Sequence, residues 1–398
     1  MLTAAQRALV KATVPLLEAG GEALTTHFYR MLLAEHPEVR PLFNQAHQAS
    51  GEQPRALASG VLAYARHIDR LEGLGNLASQ IVNKHVALQV QPEHYPAVGD
   101  CLLRAMREVL GPDVATDEVI DAWAAAYGQL AELLIGAEAA LYEQKAQAPG
   151  GWRGARAFRV DRKERESDEI TSFYLVPEDG AAVMDFEPGQ YIGLRLVVDG
   201  QEIRRNYSLS AAPNGHSYRI SVKREPGGVA SNHLHDQVAP GSRIELFAPS
   251  GEFTLNEAGR PLVLISGGVG ITPTLAMLDA AMATGSRPVH FIHCARNAAV
   301  HAFRRHVDEV AVRHPRLQRY YCHDEAAAPG SPDEAPHAVG RLDVARLAQW
   351  LPQSTRDLDV YLLGPKPFMR QMKRALRSLG VPDGQVRHEF FGPASALE

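Results

Sequence analysis

Leu262-Val263-Leu264-Ile265 leads into Gly267-Gly268-Val269-Gly270-Ile271-Thr272-Pro273 and the amphipathic segment Thr274–Ala283. The stretch reads as a strand, a glycine-rich turn and a helix. Glycines without side chains let the backbone approach an anion such as a pyrophosphate, and Pro273 suits a first helical turn, whose free N–H groups attract anions. The spacing is not Gly-x-Gly-x-x-Gly, so a glycine-rich turn without phosphate stays open. Downstream, the apolar runs Val289–His293, Arg319–Cys322 and Val360–Leu363 alternate with helical segments Ala302–Arg313, Val344–Trp350 and Phe368–Leu379, which predicts a parallel sheet covered on both faces. Upstream, Ala157–Val160, Glu169–Val176, Tyr191–Val198 and Tyr218–Val222 read as short strands of a small antiparallel domain. From Leu2 to about Gln147 the apolar residues recur at helical spacing, broken at Gly20-Gly21, His36-Pro37, Gly51, Gly73–Gly75, Gln91-Pro92 and Gly111-Pro112, until Ala148-Pro149-Gly150-Gly151 ends the pattern. The expected organisation is an all-α domain over 1–147, a β domain over 148–258 and an α/β domain over 259–398.

Composition agrees with more than one core, since 398 residues, 45% hydrophobic and 22% charged, fit two or three domains. The 41 basic and 46 acidic residues give a net charge of −5 without long single-sign blocks, which argues against a nucleic-acid partner. No apolar stretch approaches the ~20 residues that span a bilayer, and the N-terminus lacks a signal pattern, so the expectation is a cytoplasmic protein that is not an integral membrane protein. Cys101, Cys294 and Cys322 are scattered, with no Cys-x-x-Cys, no Cys-x-x-Cys-His and no zinc spacing. Disulfides, structural zinc and covalent haem attachment are not expected.

Three polar residues fall on apolar helical faces. Ile81, His85 and Leu88 share one face, Tyr95, Val98 and Leu102 another, and Leu130, Leu134, Glu138 and Leu141 a third. A buried carboxylate needs a partner, because desolvating its charge unpaired costs several kcal/mol. One arrangement satisfies all three: His85 binds a metal through one ring nitrogen and gives its other N–H to a network with Glu138 and Tyr95. On periodicity alone, a hydrogen-bonded core histidine with Glu138 reaching solvent and Tyr95 merely packing stays open.

The first ~145 residues resemble the globin domain of the flavohaemoglobins. The resemblance rests on Val10-Lys11-Ala12-Thr13-Val14-Pro15-Leu16-Leu17, His27-Phe28-Tyr29, Pro41-Leu42-Phe43-Asn44, Gln53, Lys84-His85, Tyr95 and Glu138. It implies haem b held non-covalently, with His85 as proximal ligand and Tyr95 and Glu138 as its relay partners. It also implies Tyr29 and Gln53 as donors to bound dioxygen, Leu57 as an apolar lid and Phe43 against the haem plane. Pro54, directly after Gln53, fits only if it lies in a first helical turn.

Arg204-Arg205-Asn206-Tyr207-Ser208-Leu209-Ser210 contains the Arg-x-Tyr-Ser flavin signature of the ferredoxin-reductase-like family. It follows Glu187-Pro188-Gly189-Gln190-Tyr191 and precedes Val222-Lys223-Arg224-Glu225-Pro226-Gly227-Gly228-Val229-Ala230-Ser231-Asn232, in the order that family uses. This resemblance implies an antiparallel β-barrel that binds FAD. Arg205 would meet the pyrophosphate, Tyr207 would lie flat on the isoalloxazine and Ser208 would sit near the reactive nitrogen, with Tyr191 and Asn206 alongside. Ser231 and Asn232 are expected to cap a short helix aimed at phosphate. It implies NADH or NADPH at Gly268, Val269, Gly270, Ile271, Thr272 and Pro273, above the strand that ends in Gly364-Pro365-Lys366-Pro367-Phe368-Met369. It places Glu389, Phe390, Phe391, Gly392 and Pro393 near the flavin, Phe390 standing where some relatives carry cysteine. Arg296, with no acidic residue after its strand, leaves room for a 2′-phosphate.

The implied activity is nitric oxide dioxygenase. NAD(P)H reduces FAD, FAD reduces haem iron, and haem-bound O₂ reacts with NO to give nitrate, with Lys84 and Glu389 bridging haem and flavin. Expected partners are NO, O₂ and NAD(P)H, in a monomer; lipid occupancy of the haem pocket stays open. A haem–flavin peroxide reductase is the alternative enzyme. An oxygen-binding or sensing globin would leave about 250 residues of redox apparatus unused. In a plain NAD(P)H–flavin oxidoreductase, His85, Glu138 and Tyr95 would be a coincidence.

Overall fold

The computed structural model describes residues 2–44, 48, 50–74, 76–257, 259–285, 287–326 and 335–392. The chain divides into two compact units: one takes the residues up to Ala155 with Arg195–Arg205 and Gly392, the other Arg156–Leu194 and Asn206–Phe391.

Among the described residues of the first unit the helical periodicity becomes the α-helices α1 (Ala4–Ala12), α2 (Val14–Glu35), α3 (Glu52–Arg66), α4 (Asn76–Leu88), α5 (His94–Leu110) and α6 (Asp117–Gln147). Thr3 opens α1 with a capping box, accepting from the Gln6 N–H at 3.1 Å while the Gln6 side chain accepts from the Thr3 N–H at 2.9 Å. Gly51, in the left-handed region at φ 71°, starts α3, so Gln53 and Pro54 are its second and third residues. Proline costs nothing there, because first-turn N–H groups have no partner inside the helix. Thr25 of α2 donates to the Pro54 carbonyl at 2.8 Å and ties the two helices together. The main core packs Leu24, Phe28 and Leu32 of α2 against Leu102 and Met106 of α5 and Trp123 of α6; a second cluster joins Val82, Val86, Tyr95 and Leu134.

After Ala155 come β1 (Arg156–Arg165), β2 (Ile170–Pro177), β3 (Tyr191–Val198), β4 (Gln201–Ser208), β5 (Tyr218–Lys223), the short helix α7 (Val229–Asp236) and β6 (Arg243–Leu246), of which the Arg195–Arg205 part of β3 and β4 belongs to the first unit. The strand order is β4-β3-β6-β1-β2-β5, and β1 pairs antiparallel with β2 and β6, as β2 does with β5. The barrel expected from sequence is not closed by a continuous ladder among the described residues. The chain leaving the edge strand β4 meets β5, the other edge, at the single bridge Leu209–Ile220. Further along this connection Pro213 offers no N–H to extend the pairing.

Next come β7 (Leu262–Gly267), α8 (Ile271–Thr284), β8 (Val289–Ala295), α9 (Arg304–Arg313), β9 (Leu317–His323), β10 (Ala338–Val339), α10 (Val344–Trp350), β11 (Asp359–Leu363), α11 (Lys366–Ser378) and β12 (Val386–His388). The sheet is parallel, in the order β10-β9-β8-β7-β11-β12. Alternate residues serve opposite faces: Leu262, Leu264, Phe291 and Tyr361 pack under α8 and α9, while Val263, Ile265, Ile292 and Val360 pack under α10 and α11. Strand order reverses beside β7, and ligands of open α/β sheets bind at the carboxyl ends of the strands at such a point.

Among the described residues four buried imidazoles lie in this half, and three of them, His293, His301 and His323, cluster together. His293 and His323 end adjacent parallel strands, and His301 stands between them, its Nδ1 3.0 Å from His323 Nε2, while His293 Nδ1 meets Ser266 Oγ at 2.9 Å. Burial lowers all three pKa values, that of His293 to about 3. At His293 the unfolded chain therefore takes up a proton between about pH 3 and 6.5 that the folded chain refuses. The stability that His293 contributes is complete above pH ~6.5 and is lost as pH falls toward about 3, at about 1.4 kcal/mol per pH unit, and His301 and His323 act in the same direction. The urea unfolding midpoint of this unit is expected to drop between pH 7 and pH 5, with His293→Asn flattening the dependence. A midpoint independent of pH over that range would contradict the argument.

Candidate functional site

Helices α4, α5 and α6 bring together the three residues that the sequence set on separate apolar faces. His85 Nδ1 lies 2.7 Å from Glu138 Oε1 and 3.2 Å from the Tyr95 hydroxyl, and that hydroxyl donates to the same Oε1 at 2.7 Å. Glu138 is 2% exposed, so its charge is satisfied inside the protein by these two donors. Burial and then the Glu138 hydrogen bond push the Tyr95 phenol up, which fixes it as a donor. With Nδ1 donating to the carboxylate, the lone pair of the imidazole resides on Nε2, for which no hydrogen bond exists among the described residues. A half-buried imidazole oriented by a carboxylate and left with a free nitrogen fits an axial ligand of haem iron.

Tyr29 lies on α2 and is 7% exposed; burial raises its pKa, and a hydrogen bond with the Gln53 side chain works the other way. Phe43, just beyond the turn Pro37–Leu42, meets the Tyr29 ring edge-on at 5.5 Å, and Leu57 joins the same apolar cluster. Lys84 Nζ donates to the Gly392 carbonyl at 2.8 Å. Sequence reasoning passed over Arg204. Its guanidinium donates to the Leu88 carbonyl at 2.6 Å and the Gln89 carbonyl at 3.3 Å, placing a cation at the C-terminus of the helix that carries His85. A doubled arginine before a flavin motif was the available signal.

In the second unit, Asn206, Tyr207 and Ser208 end β4 and are half-buried. The Asn206 carbonyl Oδ1 is buried with no hydrogen-bond partner, an unmet acceptor that suits a polar cofactor. Tyr191 is 7% exposed, its pKa raised by burial and by the charges of Glu389 and Glu252. Gly251, at φ 118°, leaves room for that ring, since a Cβ there would stand 2.8 Å from it. Arg205 donates to the Arg204 carbonyl at 2.7 Å. The expected cap is placed differently: Gly228 begins α7, and Ser231 and Asn232 lie inside its first turns. Ser231 Oγ accepts from the Glu225 N–H at 3.1 Å and Asn232 Nδ2 donates to the Gly228 carbonyl at 2.7 Å, so both shape the preceding loop. Lys366 Nζ sits 4.1 Å from the Phe390 ring centroid, and Phe391 is exposed. Pro393 lies outside the described residues.

The glycine-rich turn runs from β7 through a tight turn, Gly268–Gly270, into α8, with Thr272 Oγ1 donating to the Val269 carbonyl at 3.0 Å. Ile271, Thr272 and Pro273 are the first residues of α8 and are buried. A Cβ on Gly270 would lie 2.8 Å from the Leu363 carbonyl, so only glycine lets this turn lie against the end of β11. Arg296 is held in an ion pair with Glu169, which engages the cation that the sequence left available to a 2′-phosphate. Glu325, supplied by the segment after β9, accepts from Asn297 Nδ2 at 2.7 Å and so brings to this loop the carboxylate missing after β8.

The chain matches the Globin family model over residues 26–134, the oxidoreductase FAD-binding domain model over 157–255 and the oxidoreductase NAD-binding domain model over 264–374. A flavohemoprotein from Burkholderia sp. (strain TH2) is 67% identical over 398 residues, 100% of both chains, and one from Pseudomonas putida is 66% identical over the same span. Among solved structures, a flavohemoglobin from Malassezia yamatoensis with bound FAD and heme superposes with a TM-score of 0.85 at 27% identity, covering 98% of this chain and 100% of that one. The flavohem-like FAD/NAD binding domain of nitric oxide dioxygenase from Vibrio cholerae is 37% identical, TM-score 0.56, covering 61% of this chain and 100% of that one. The chain belongs to the flavohemoprotein family and is an NAD(P)H-dependent oxidoreductase that carries haem and FAD.

Proposed function

We propose that the enzyme is a nitric oxide dioxygenase whose haem is ligated by His85 Nε2 and whose gas-binding side is formed by Tyr29 and Gln53. Haem would supply the site where dioxygen and nitric oxide combine, and FAD the conversion of a hydride into single electrons. The observation that carries the reading is the His85–Glu138–Tyr95 relay: two donors saturate one buried carboxylate oxygen, which aligns the imidazole and strengthens Nε2 as an electron donor. The buried Tyr29 hydroxyl, hydrogen-bonded with Gln53, is placed to stabilise negative charge that builds on dioxygen during reduction. The Vibrio cholerae relative is a nitric oxide dioxygenase, which favours the same chemistry here.

Adding one electron to NO and O₂ gives nitrate, so each dinucleotide oxidised should yield two nitrates. The test is NO-dependent NAD(P)H consumption in air with nitrate counted against dinucleotide. Consumption driven by peroxide but not by NO would replace this reading with a peroxide reductase. Tyr29→Phe removes one hydrogen bond to a charged group, about 1.5–3 kcal/mol, and is expected to slow NO turnover about ten- to a hundredfold. Unchanged NO turnover in that variant would remove Tyr29 from the site.

A further inference from the structure

β8 and β9 run side by side in parallel, and their register sets Cys294 opposite Cys322 near the carboxyl ends of both strands. Both thiols are free. Adjacent strands lie ~4.8 Å apart, within the roughly 4.4–6.8 Å Cα separation that a disulfide accepts. The two side chains share the sheet face that packs Ile292, Leu347 and Trp350, and the Cys322 thiol donates to the Gly340 carbonyl at 2.9 Å. Cys322 is 2% exposed and Cys294 is half-buried, so the pair opens to solvent from the Cys294 side. The neighbouring Cys294 thiol, and then the Arg346 guanidinium, hold the Cys322 thiol below its ordinary pKa against the opposing effect of burial. Cys101 has none of this: it is fully buried among helices, and burial pushes its thiol up.

We propose that Cys294 and Cys322 form a reversible oxidation site, converted by a hydroperoxide such as hydrogen peroxide into a disulfide that ties β8 to β9. One of the two sulfurs, as its thiolate, attacks one peroxide oxygen; an S–O bond forms, the O–O bond breaks, and the departing hydroxide takes up the proton the thiol gave up and leaves as water. The partner sulfur then attacks the sulfenic acid, forming the S–S bond, and the hydroxyl leaves with the partner thiol's proton as a second water. Two thiols and one peroxide become one disulfide and two waters.

The test uses the full-length holoenzyme treated with hydrogen peroxide, alkylated under denaturing conditions and digested for mass spectrometry. Cys294 and Cys322 are expected to escape alkylation together as one linked peptide pair, with Cys101 still alkylated and dithiothreitol restoring both thiols. The same link should form in Cys101→Ser. Cysteines that stay fully alkylatable, a link that joins two chains or involves Cys101, or sulfinic acid without a linked peptide would each overturn the proposal.

Discussion

Replacing His85 by alanine is expected to give a protein that keeps FAD at full occupancy and loses the Soret band. Alanine removes Nε2, the nitrogen left without a partner, and with it the proposed bond to iron. The surroundings should survive, because Glu138 still accepts from Tyr95 at 2.7 Å and loses only one of two donors, a cost of about 1–3 kcal/mol. The haem-to-FAD absorbance ratio measures the effect. NADH-driven ferricyanide reduction at the parental rate would show that the flavin half is intact. Haem retained at the parental ratio would refute His85 as ligand.

The largest expected loss of stability comes from Arg287→Ala. Arg287 and Asp359 form an ion pair at 2.8 Å with side chains only 4% and 6% exposed. Arg287 also donates to the Asn256 carbonyl at 2.9 Å, and Asn256 Nδ2 donates to the second oxygen of Asp359 at 3.0 Å. The guanidinium thus joins the chain before β7, the entry to β8 and the first residue of β11. Removing it leaves a buried carboxylate short of its cation, which costs about 3–5 kcal/mol. A calorimetric transition of the sheet unit that falls by several degrees would show this. The double variant Arg287→Met with Asp359→Leu should recover most of the loss, since apolar replacement of a buried pair is often neutral or better. Equal losses in the single and double variants would mean that the pair is not what sustains the site.

Much of the architecture was legible because its signals are local. The unbroken apolar runs Leu262–Ile265 and Val360–Leu363 declared a sheet buried on both faces, and helical spacing put His85, Tyr95 and Glu138 on inward faces. That the three meet at one carboxylate oxygen is a fact about three helices at once, which spacing within each could not carry. Ser231 and Asn232 misled because capping residue types also serve inside a first turn, where their side chains reach back to the loop. Glu325 was hidden because it reaches the loop after β8 from the following strand. The 28 positions separating Cys294 from Cys322 likewise concealed that parallel register sets them opposite one another.

The strand order carries a consequence for synthesis on the ribosome. β7 lies inside the finished sheet, yet of its two neighbours only β8 follows promptly, while β11 begins at Asp359, far later in the chain. Until β11 emerges, one side of a strand that is buried along its whole length in the finished sheet displays unpaired N–H and C=O groups, the kind of edge that recruits other nascent chains. Translation that stalls between β9 and β11 therefore leaves this edge open to aggregation, even though α8 is already available to cover one face of the sheet.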